Sequence, residues 1–212
     1  MTLTPRLRLA VGIAAAVCSA LAIVAPWWAR VRVFPNGNAH LKPGVGVVGG
    51  LVVRGWVVGG VLVAIAVALL LVLRVAGRAV VPNGLPERRC PAGVFRWLVA
   101  SVVLAALSVG AAGAGDFLFG ASYRILQPEG PGGCRVVSRE ESFLFSGTGD
   151  AYVVAGSGIG RRVGTWDVDD GGRPIEAGAF ELTWGADDGV LVVSGTPGSE
   201  VISGGLQTID CG

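Results

Sequence analysis

The sequence predicts an α-helical membrane part with three transmembrane helices, followed by a C-terminal all-β domain, a small sandwich or barrel closed by a disulfide. Three observations predict this fold class. The 212-residue chain holds three apolar runs of membrane-spanning length, its C-terminal part alternates apolar and polar residues between glycine-rich turns, and two cysteines bracket that part. Charged residues make up only 15% of the chain, against about 25% in an average soluble domain.

Three runs contain no Asp, Glu, Lys, Arg or His, and each has about the 20 residues that a helix needs to cross the hydrocarbon core. They predict transmembrane helices at residues 9–28, 56–73 and 97–115. Arginines flank the runs and tryptophans stand at their ends, where the indole ring favours the membrane interface. Because proton relays and ion pathways need ionisable groups at depth, the runs do not indicate a transporter or an intramembrane enzyme.

The first run leaves two alternatives open. The Ala-Leu-Ala stretch at residues 20–22 resembles a signal-peptide cleavage site, and the sequence around Cys18 resembles a lipoprotein box. The apolar run continues to Trp27 and Trp28, which favours a retained helix. Val17 is a poor fit for the small residue that lipidation requires before the cysteine.

Basic residues predict the orientation of the chain. With the amino terminus in the cytoplasm, the inner segments hold seven arginines and the outer loop holds four basic residues. We therefore expect a multi-pass protein of the plasma membrane with an extracytoplasmic C-terminal domain. The expected order is a cytoplasmic amino terminus with the first helix (1–28), an extracytoplasmic loop (29–55), the second helix (56–73), a basic cytoplasmic loop (74–96), the third helix (97–115), a linker (116–130) and an extracytoplasmic β domain (131–212).

Small residues recur every four positions in each apolar run, and such spacing lets helix backbones approach closely in lipid. These ridges are Gly12, Ala16 and Ala20; Gly60, Ala64 and Ala68; and Ala106, Gly110 and Ala114. They predict either a packed three-helix bundle or a seam between copies of the chain in a homo-oligomer. The competing explanation is that helices rich in Ala and Gly show such ridges by chance.

The outer loop contains a hairpin signal. The stretch around Asn36 and Gly37 alternates apolar and polar residues on both sides of that turn, and we expect the hairpin to dock on the outer domain. His40, the single histidine of the chain, has no neighbouring Cys, Asp or Glu and is not expected to bind a metal. The basic residues flank apolar runs and form no stripe, so no nucleic-acid partner is expected.

The C-terminal part is predicted to be all strands. In AFELTW, Phe180, Leu182 and Trp184 face one way, and the GADDG turn leads into VLVVSG, which makes the clearest hairpin in the sequence. Weaker strand predictions fall on RVVSREESFLF, DAYVVAG, RRVGTWDV, EVIS and LQTID. The turn-rich QPEGPGG segment places the domain boundary near Gly130.

Two cysteines bracket this domain, and we expect Cys134 and Cys211 to form an intramolecular disulfide. Pairing between two chains is the alternative. A bond across a loop of about 80 residues would stabilise the fold by roughly 4–5 kcal/mol through loop-closure entropy. Cys90 lies in the predicted cytoplasmic loop and is expected to be a free thiol.

No stretch predicts catalytic residues or a cofactor. Asp167, Asp169 and Asp170 are a weak metal candidate: they resemble the opening of a calcium loop, but Gly178 stands where the bidentate Glu would be. GSGIG at residues 156–160 lacks the last glycine of a dinucleotide loop, and Arg161 and Arg162 beside it are expected to be solvated. The adjacent pair Glu140 and Glu141 should point to opposite faces of a strand, so this pair by itself cannot supply the two facing carboxylates of a glycosidase.

The expected function is therefore non-enzymatic. The chain is predicted to display its β domain outside the membrane and to bind or organise a cell-envelope partner, either a protein or a polysaccharide. Two alternatives stay open. One is an accessory subunit of a membrane transport or secretion complex, and the other is an envelope enzyme that acts on polysaccharide.

Overall fold

The structure is a computed structural model, and it describes residues 4–27, 32–33, 39–40, 45–48, 51–76, 92–169, 171–195 and 202–211. The chain forms two compact units. The first consists of Met1–Trp27 and Gly55–Ala112, and the second of Trp28–Arg54 and Gly113–Gly212.

Three long helices account for the apolar runs. α1 spans Pro5–Val24 and continues as a short 3-10 turn, α2 spans Gly55–Ala76, and α3 spans Ala92–Leu118. All three are long and apolar enough to cross a membrane, as the sequence predicts. α3 extends beyond both ends of its predicted run. The prediction ended the run at the first charged residues, whereas the backbone hydrogen bonds of the helix continue past them.

The helical unit has a buried cluster that lies outside the predicted ridges. Its buried cluster contains Ala15, Ala66, Leu70, Leu98 and Val102. Gly12 and Gly110, by contrast, have open space where a Cβ would lie, and the alanines of the three ridges are exposed. Gly60 is the exception, since a Cβ there would lie 3.9 Å from Val109 Cγ1 of α3. The ridges therefore contribute little to the contacts within this bundle.

Gly59 of α2 marks the closest approach in the helical unit. A Cβ added at this position would lie 2.7 Å from Val109 Cγ2 of α3 and 3.2 Å from the carbonyl oxygen of Ala22 in α1. Nearby, Trp27 Nε1 donates a hydrogen bond of 2.9 Å to Ser108 Oγ, which donates in turn to the carbonyl oxygen of Ile23 at 3.1 Å. Close packing and a short polar chain therefore join the three helices.

The second unit is built from antiparallel strands. They are β1 (Arg32–Val33), β2 (Ala39–His40), β3 (Val45–Val48), β4 (Leu51–Arg54), β5 (Ser122–Leu126), β6 (Arg135–Phe143), β7 (Ser146–Val154), β8 (Gly160–Asp169), β9 (Phe180–Trp184), β10 (Asp188–Val193), β11 (Ile202–Ser203) and β12 (Leu206–Asp210). β5 to β8 and β11 form a five-stranded sheet in the order β11-β8-β7-β6-β5, and β9, β10 and β12 form a three-stranded sheet in the order β12-β10-β9. The predicted hairpin of β9 and β10 is confirmed, with Leu182 opposite Leu191.

One hydrophobic core lies between the two sheets. Val136 and Trp166 from the five-stranded sheet join Leu182, Leu191 and Ile209 from the three-stranded sheet, and all five are buried. The large indole ring fits because position 149 is glycine, where any Cβ would overlap the Trp166 ring. The arrangement of two sheets over a shared core is that of a sandwich.

A disulfide joins Cys134 to Cys211 within this unit, as predicted. Cys134 precedes β6 and Cys211 follows β12, and their Cα atoms are 6.0 Å apart. Cys134 is buried in the core, and Cys211 packs against the same cluster. The bond therefore ties the three-stranded sheet to the five-stranded sheet across 77 positions of sequence.

The second unit starts earlier in the chain than the predicted boundary at Gly130. β5 lies inside the predicted linker and pairs with β6 along its whole length, with Tyr123 opposite Arg139. β5 is an edge strand of the five-stranded sheet. Its middle residue, Arg124, lies between apolar residues in the SYRIL stretch and is exposed. Residues 131–212 alone would therefore lack one strand of the sheet.

The outer loop also contributes to the second unit. β1 and β2 pair with Arg32 opposite His40, which fits the predicted hairpin, although its Asn36-Gly37 turn falls outside the described residues. Among the described residues, the next hairpin, β3 and β4, contacts the sheet. Its Val45 and Val47 pack on Val137 and Tyr152, on the face of the five-stranded sheet that is opposite the sandwich core.

Candidate functional site

A cluster of buried charges lies on the face of the five-stranded sheet that β3 and β4 cover. We call it the Arg139 cluster; it consists of Asp116, Tyr123, Arg139, Glu141, Asp150 and Arg162. Asp116 belongs to the last turn of α3, and the other members come from β5, β6, β7 and β8. Residues two apart on a strand share a face, and register places Tyr123 and Asp150 directly opposite Arg139 on its two neighbouring strands.

Arg139 is the centre of the cluster. Its Nη2 donates to Asp116 Oδ1 at 2.9 Å and to Glu141 Oε2 at 2.6 Å, and its Nε donates to the Tyr123 oxygen at 3.1 Å. Its Nη1 lies 3.7 Å from Asp150 Oδ2. The planar guanidinium can contact several acceptors at once, which a lysine ammonium could not do in this geometry.

The cluster continues at both ends. Asp150 Oδ1 accepts a hydrogen bond of 3.1 Å from Arg162 Nη1, so one buried carboxylate faces two arginines. Tyr123 donates from its hydroxyl to Asp116 Oδ2 at 2.9 Å. The guanidinium of Arg54, at the end of β4, lies 4.8 Å from the centre of the Tyr123 ring, which is a cation–π distance.

Two tyrosines, Tyr123 and Tyr152, lie on this face of the sheet. Burial raises the pKa of Tyr123 above its ordinary value, with Arg139 opposing the shift and Asp116 adding to it. Burial also raises the pKa of Tyr152 on the same face, and Asp150 adds to that shift. Both phenols therefore stay protonated at neutral pH, and neither is suited to act as a base.

Arg139 stays charged despite its burial. Burial by itself lowers the pKa of Arg139, but its hydrogen bond to Glu141 and its further interactions with Tyr123 and Asp116 raise the pKa above the ordinary value. Charges that are paired and buried in this way hold elements in one arrangement, since breaking a pair leaves a desolvated charge behind. The geometry thus fixes the end of α3 to the sheet.

A second polar feature is a shallow cavity of about 170 Å³ at the β5 edge of the sheet. It is lined by Ser122, Tyr123, Arg124, Ser138, Glu140, Ile175 and Glu176. Glu140 is only 3% exposed, and its two carboxylate oxygens accept hydrogen bonds of 2.9 Å from the backbone N–H groups of Ile175 and Glu176. Burial raises the pKa of Glu140, and these backbone donors oppose the shift.

Glu140 therefore holds the turn after β8 in place. Arg124 supports the same turn, because its Nη1 donates to the carbonyl oxygen of Ile175 at 3.0 Å. Glu141 points to the other face of β6, where it bonds to Arg139 and accepts a hydrogen bond of 3.1 Å from Thr148. The alternation expected for this adjacent pair is thus seen, and the two carboxylates do not share a cleft.

The predicted site residues fall in different places. Asp167 and Asp169 are exposed on one face of β8, and Asp170 lies outside the described residues. Within the described ranges, no three His, Cys, Asp or Glu side chains are grouped so that they could hold a metal ion. Cys18 is a free thiol on α1, whereas Cys90 falls outside the described residues.

The prediction that both arginines after GSGIG are solvated is wrong. Arg162 is largely buried in its ion pair with Asp150. Arg161 donates from Nη2 to the carbonyl oxygen of Asp210 at 2.9 Å, which connects β8 to the last strand. The strand alternation around both arginines indicated that they belong to β8. It did not indicate their acceptors, which lie on strands distant in the chain.

No protein-family model, no curated protein and no solved structure matches this chain. The arrangement of the residues themselves therefore carries the functional argument.

Proposed function

We propose that the chain is a multi-pass protein of the plasma membrane that displays a non-catalytic β domain on the extracytoplasmic side, where the domain binds or organises a cell-envelope partner. The amino terminus lies in the cytoplasm, and α1, α2 and α3 cross the bilayer. Their length and apolar character support this placement. The excess of arginine in the inner segments supports the orientation.

The disulfide between Cys134 and Cys211 is the observation that carries the proposal. Disulfides persist in oxidising compartments and are rare in the reducing cytoplasm. Because the bonded domain follows α3 directly in the chain, its compartment determines on which side α3 ends. An outside domain then requires three crossings from a cytoplasmic amino terminus.

The absence of catalysis is part of the proposal and rests on how the polar groups are used. The carboxylates of Asp116, Glu141 and Asp150 contact arginines, and the carboxylate of Glu140 accepts two backbone hydrogen bonds. A group held in this way is poorly placed to exchange protons with a substrate. The arrangement favours a rigid display domain.

Reporter fusions and thiol counting test the topology. A reporter that is active only outside the cell should be active after Gly212 and inactive after Arg89. Cys134 and Cys211 should resist alkylation in intact cells until they are reduced, while Cys90 should react only once the membrane is opened. Activity after Arg89, or free alkylation of Cys211, would contradict the orientation.

A second candidate function is an accessory subunit of a membrane transport or secretion complex. The small-residue ridges favour it, since Gly12 and Gly110 have open space beside them within the helical unit. Purification of the full chain in mild detergent tests this idea. Stoichiometric membrane partners would support it, and a lone chain would count against it.

A further inference from the structure

We propose that the turn between β6 and β7 is a shallow lipid anchor that inserts into the outer leaflet beside the end of α3. The anchor consists of Phe143, Leu144 and Phe145, and we call it the 143–145 tip. This inference rests on the proposed function, since it needs α3 to cross the membrane and the β domain to lie outside. It assigns a second contact between the β domain and the bilayer, besides α3 itself.

The tip exposes three consecutive large apolar side chains. Phe143 is 56% exposed, Leu144 74% and Phe145 80%. None of them belongs to the sandwich core or to the cluster under β3 and β4. Contiguous exposed apolar residues of this kind mark a surface that contacts another apolar phase.

Turn chemistry does not explain these residues. Phe143 pairs with Ser146, so Leu144 and Phe145 form a two-residue hairpin loop. Leu144 has a φ of 54°, in the left-handed region that favours glycine, asparagine or aspartate. A bulky leucine is therefore placed where neither backbone preference nor burial in this domain selects it.

The position of the tip identifies lipid as its occupant. The rings of Phe143 and Phe119 meet edge to face with their centres 5.4 Å apart, and the N–H of Ser142 donates to the carbonyl oxygen of Phe119 at 3.1 Å. Phe119 is the first residue after α3, and the preceding Phe117 and Leu118 are 85% and 70% exposed. The tip thus adjoins the exposed apolar residues at the end of α3.

Polar neighbours limit the depth of insertion. Ser146 follows the tip, and the residue opposite it on β8 is Asp169, which is exposed. Arg173 donates from Nη2 to the carbonyl oxygen of Gly120 at 2.7 Å, immediately after the end of α3. Charged residues therefore lie close to the aromatic rings in the structure. This arrangement suits a tip that lies at the membrane interface and not in the centre of the bilayer.

A fluorescent label on the tip tests the anchor in the full chain. The background variant carries Cys18→Ser and Cys90→Ser and keeps the disulfide. Phe145→Cys receives an environment-sensitive dye, and Ala186→Cys in the exposed β9–β10 turn is the matched control. Both proteins are reconstituted in phosphatidylcholine and phosphatidylglycerol vesicles that contain lipids with a nitroxide near the headgroup end of the acyl chain.

We expect the dye at position 145 to emit at shorter wavelength and to be quenched several-fold more strongly than the dye at position 186. Leu144→Cys repeats the measurement at a neighbouring position and should give the same result. Equal quenching at the tip and at the control turn would overturn the anchor. A shielded dye that nitroxide lipids do not quench would also overturn it, because a protein partner or a second copy would then cover the tip.

An alkaline wash of the vesicles distinguishes failure of the anchor from failure of the proposed function. A chain that is washed off contradicts the proposed function and the anchor together. A chain that stays in the vesicles without quenching at position 145 contradicts the anchor alone. Retention together with selective quenching at the tip supports both.

Discussion

Asp116 and Arg139 form an ion pair in which Arg139 Nη2 lies 2.9 Å from Asp116 Oδ1, and neither residue is more than 3% exposed. The two residues are 23 positions apart, one in the last turn of α3 and the other in the middle of β6. Asp116 is the first charged residue after the third apolar run. The pair therefore joins the helix end to the sheet at the point where the apolar segment stops.

Replacing Arg139 tests how much this cluster stabilises the fold. Arg139→Met leaves Asp116, Glu141 and Asp150 without their shared cation, and breaking a buried pair in this way costs about 3–5 kcal/mol. The matched control is Arg135→Met on the same strand, whose pair with Glu129 is exposed and worth about 0–1 kcal/mol. Unfolding of the purified full chain in detergent measures both. Equal losses in the two variants would contradict the structural role of the cluster.

The docking of β3 and β4 predicts a contrast between two neighbouring valines. Val47 is 7% exposed against the sheet, and Val48 on the same strand is 68% exposed. Val47→Ala removes two buried methyl groups and should lower the free energy of unfolding by about 2 kcal/mol. Val48→Ala should change it by less than about 0.5 kcal/mol. Similar effects in both variants, read from denaturant midpoints, would mean that the hairpin does not dock as described.

Close helix packing predicts opposite signs for two glycine substitutions. Gly59→Ala brings a Cβ within 2.7 Å of Val109 Cγ2, and overpacking of this kind costs about 1–3 kcal/mol. Gly110→Ala meets open space and should stabilise the helix by up to about 1 kcal/mol through higher helix propensity. The melting temperature of the full chain in detergent should fall in the first variant and not in the second. A higher melting temperature for Gly59→Ala would refute the packing.

Glu140 predicts a pH-dependent contribution to stability. Its pKa in the fold is raised from 4.5, so the folded chain binds this proton more tightly than the unfolded chain does. The stability that follows is present below about pH 4.5 and is lost as the pH rises through the raised pKa. Glu140→Gln removes this component, so the loss in that variant should be larger at pH 4 than at pH 8.

The same substitution also carries a loss that does not depend on pH. The backbone N–H groups of Ile175 and Glu176 each donate to one oxygen of the Glu140 carboxylate, and a glutamine amide has only one oxygen. One buried N–H group then lacks its acceptor, which lowers the free energy of unfolding by about 1–3 kcal/mol. Glu181→Gln, on the exposed side of β9, is the control and should show neither effect. A pH-independent difference between wild type and Glu140→Gln would contradict the burial of this carboxyl group.

Local pattern predicted much of this fold. The three helices follow from runs of apolar residues, and the β9–β10 hairpin follows from alternation around a turn, because both signals lie within about 20 consecutive residues. The bond between Cys134 and Cys211 followed from their positions at the two ends of one strand-rich segment. β5 was missed because an edge strand of five residues shows only a short alternation, next to a turn-rich segment.

Residue types and their order are therefore enough to indicate a membrane protein with a disulfide-closed β domain. They do not indicate that Asp116, Arg139, Asp150 and Arg162 share one buried cluster, since these side chains come from α3, β6, β7 and β8. Nor do they show that Phe119 meets Phe143 beside an exposed turn. Strand register and sheet order decide both arrangements. The physical reason is that the contacts of a buried charge, or of an exposed phenylalanine, are made with residues that are distant in the chain.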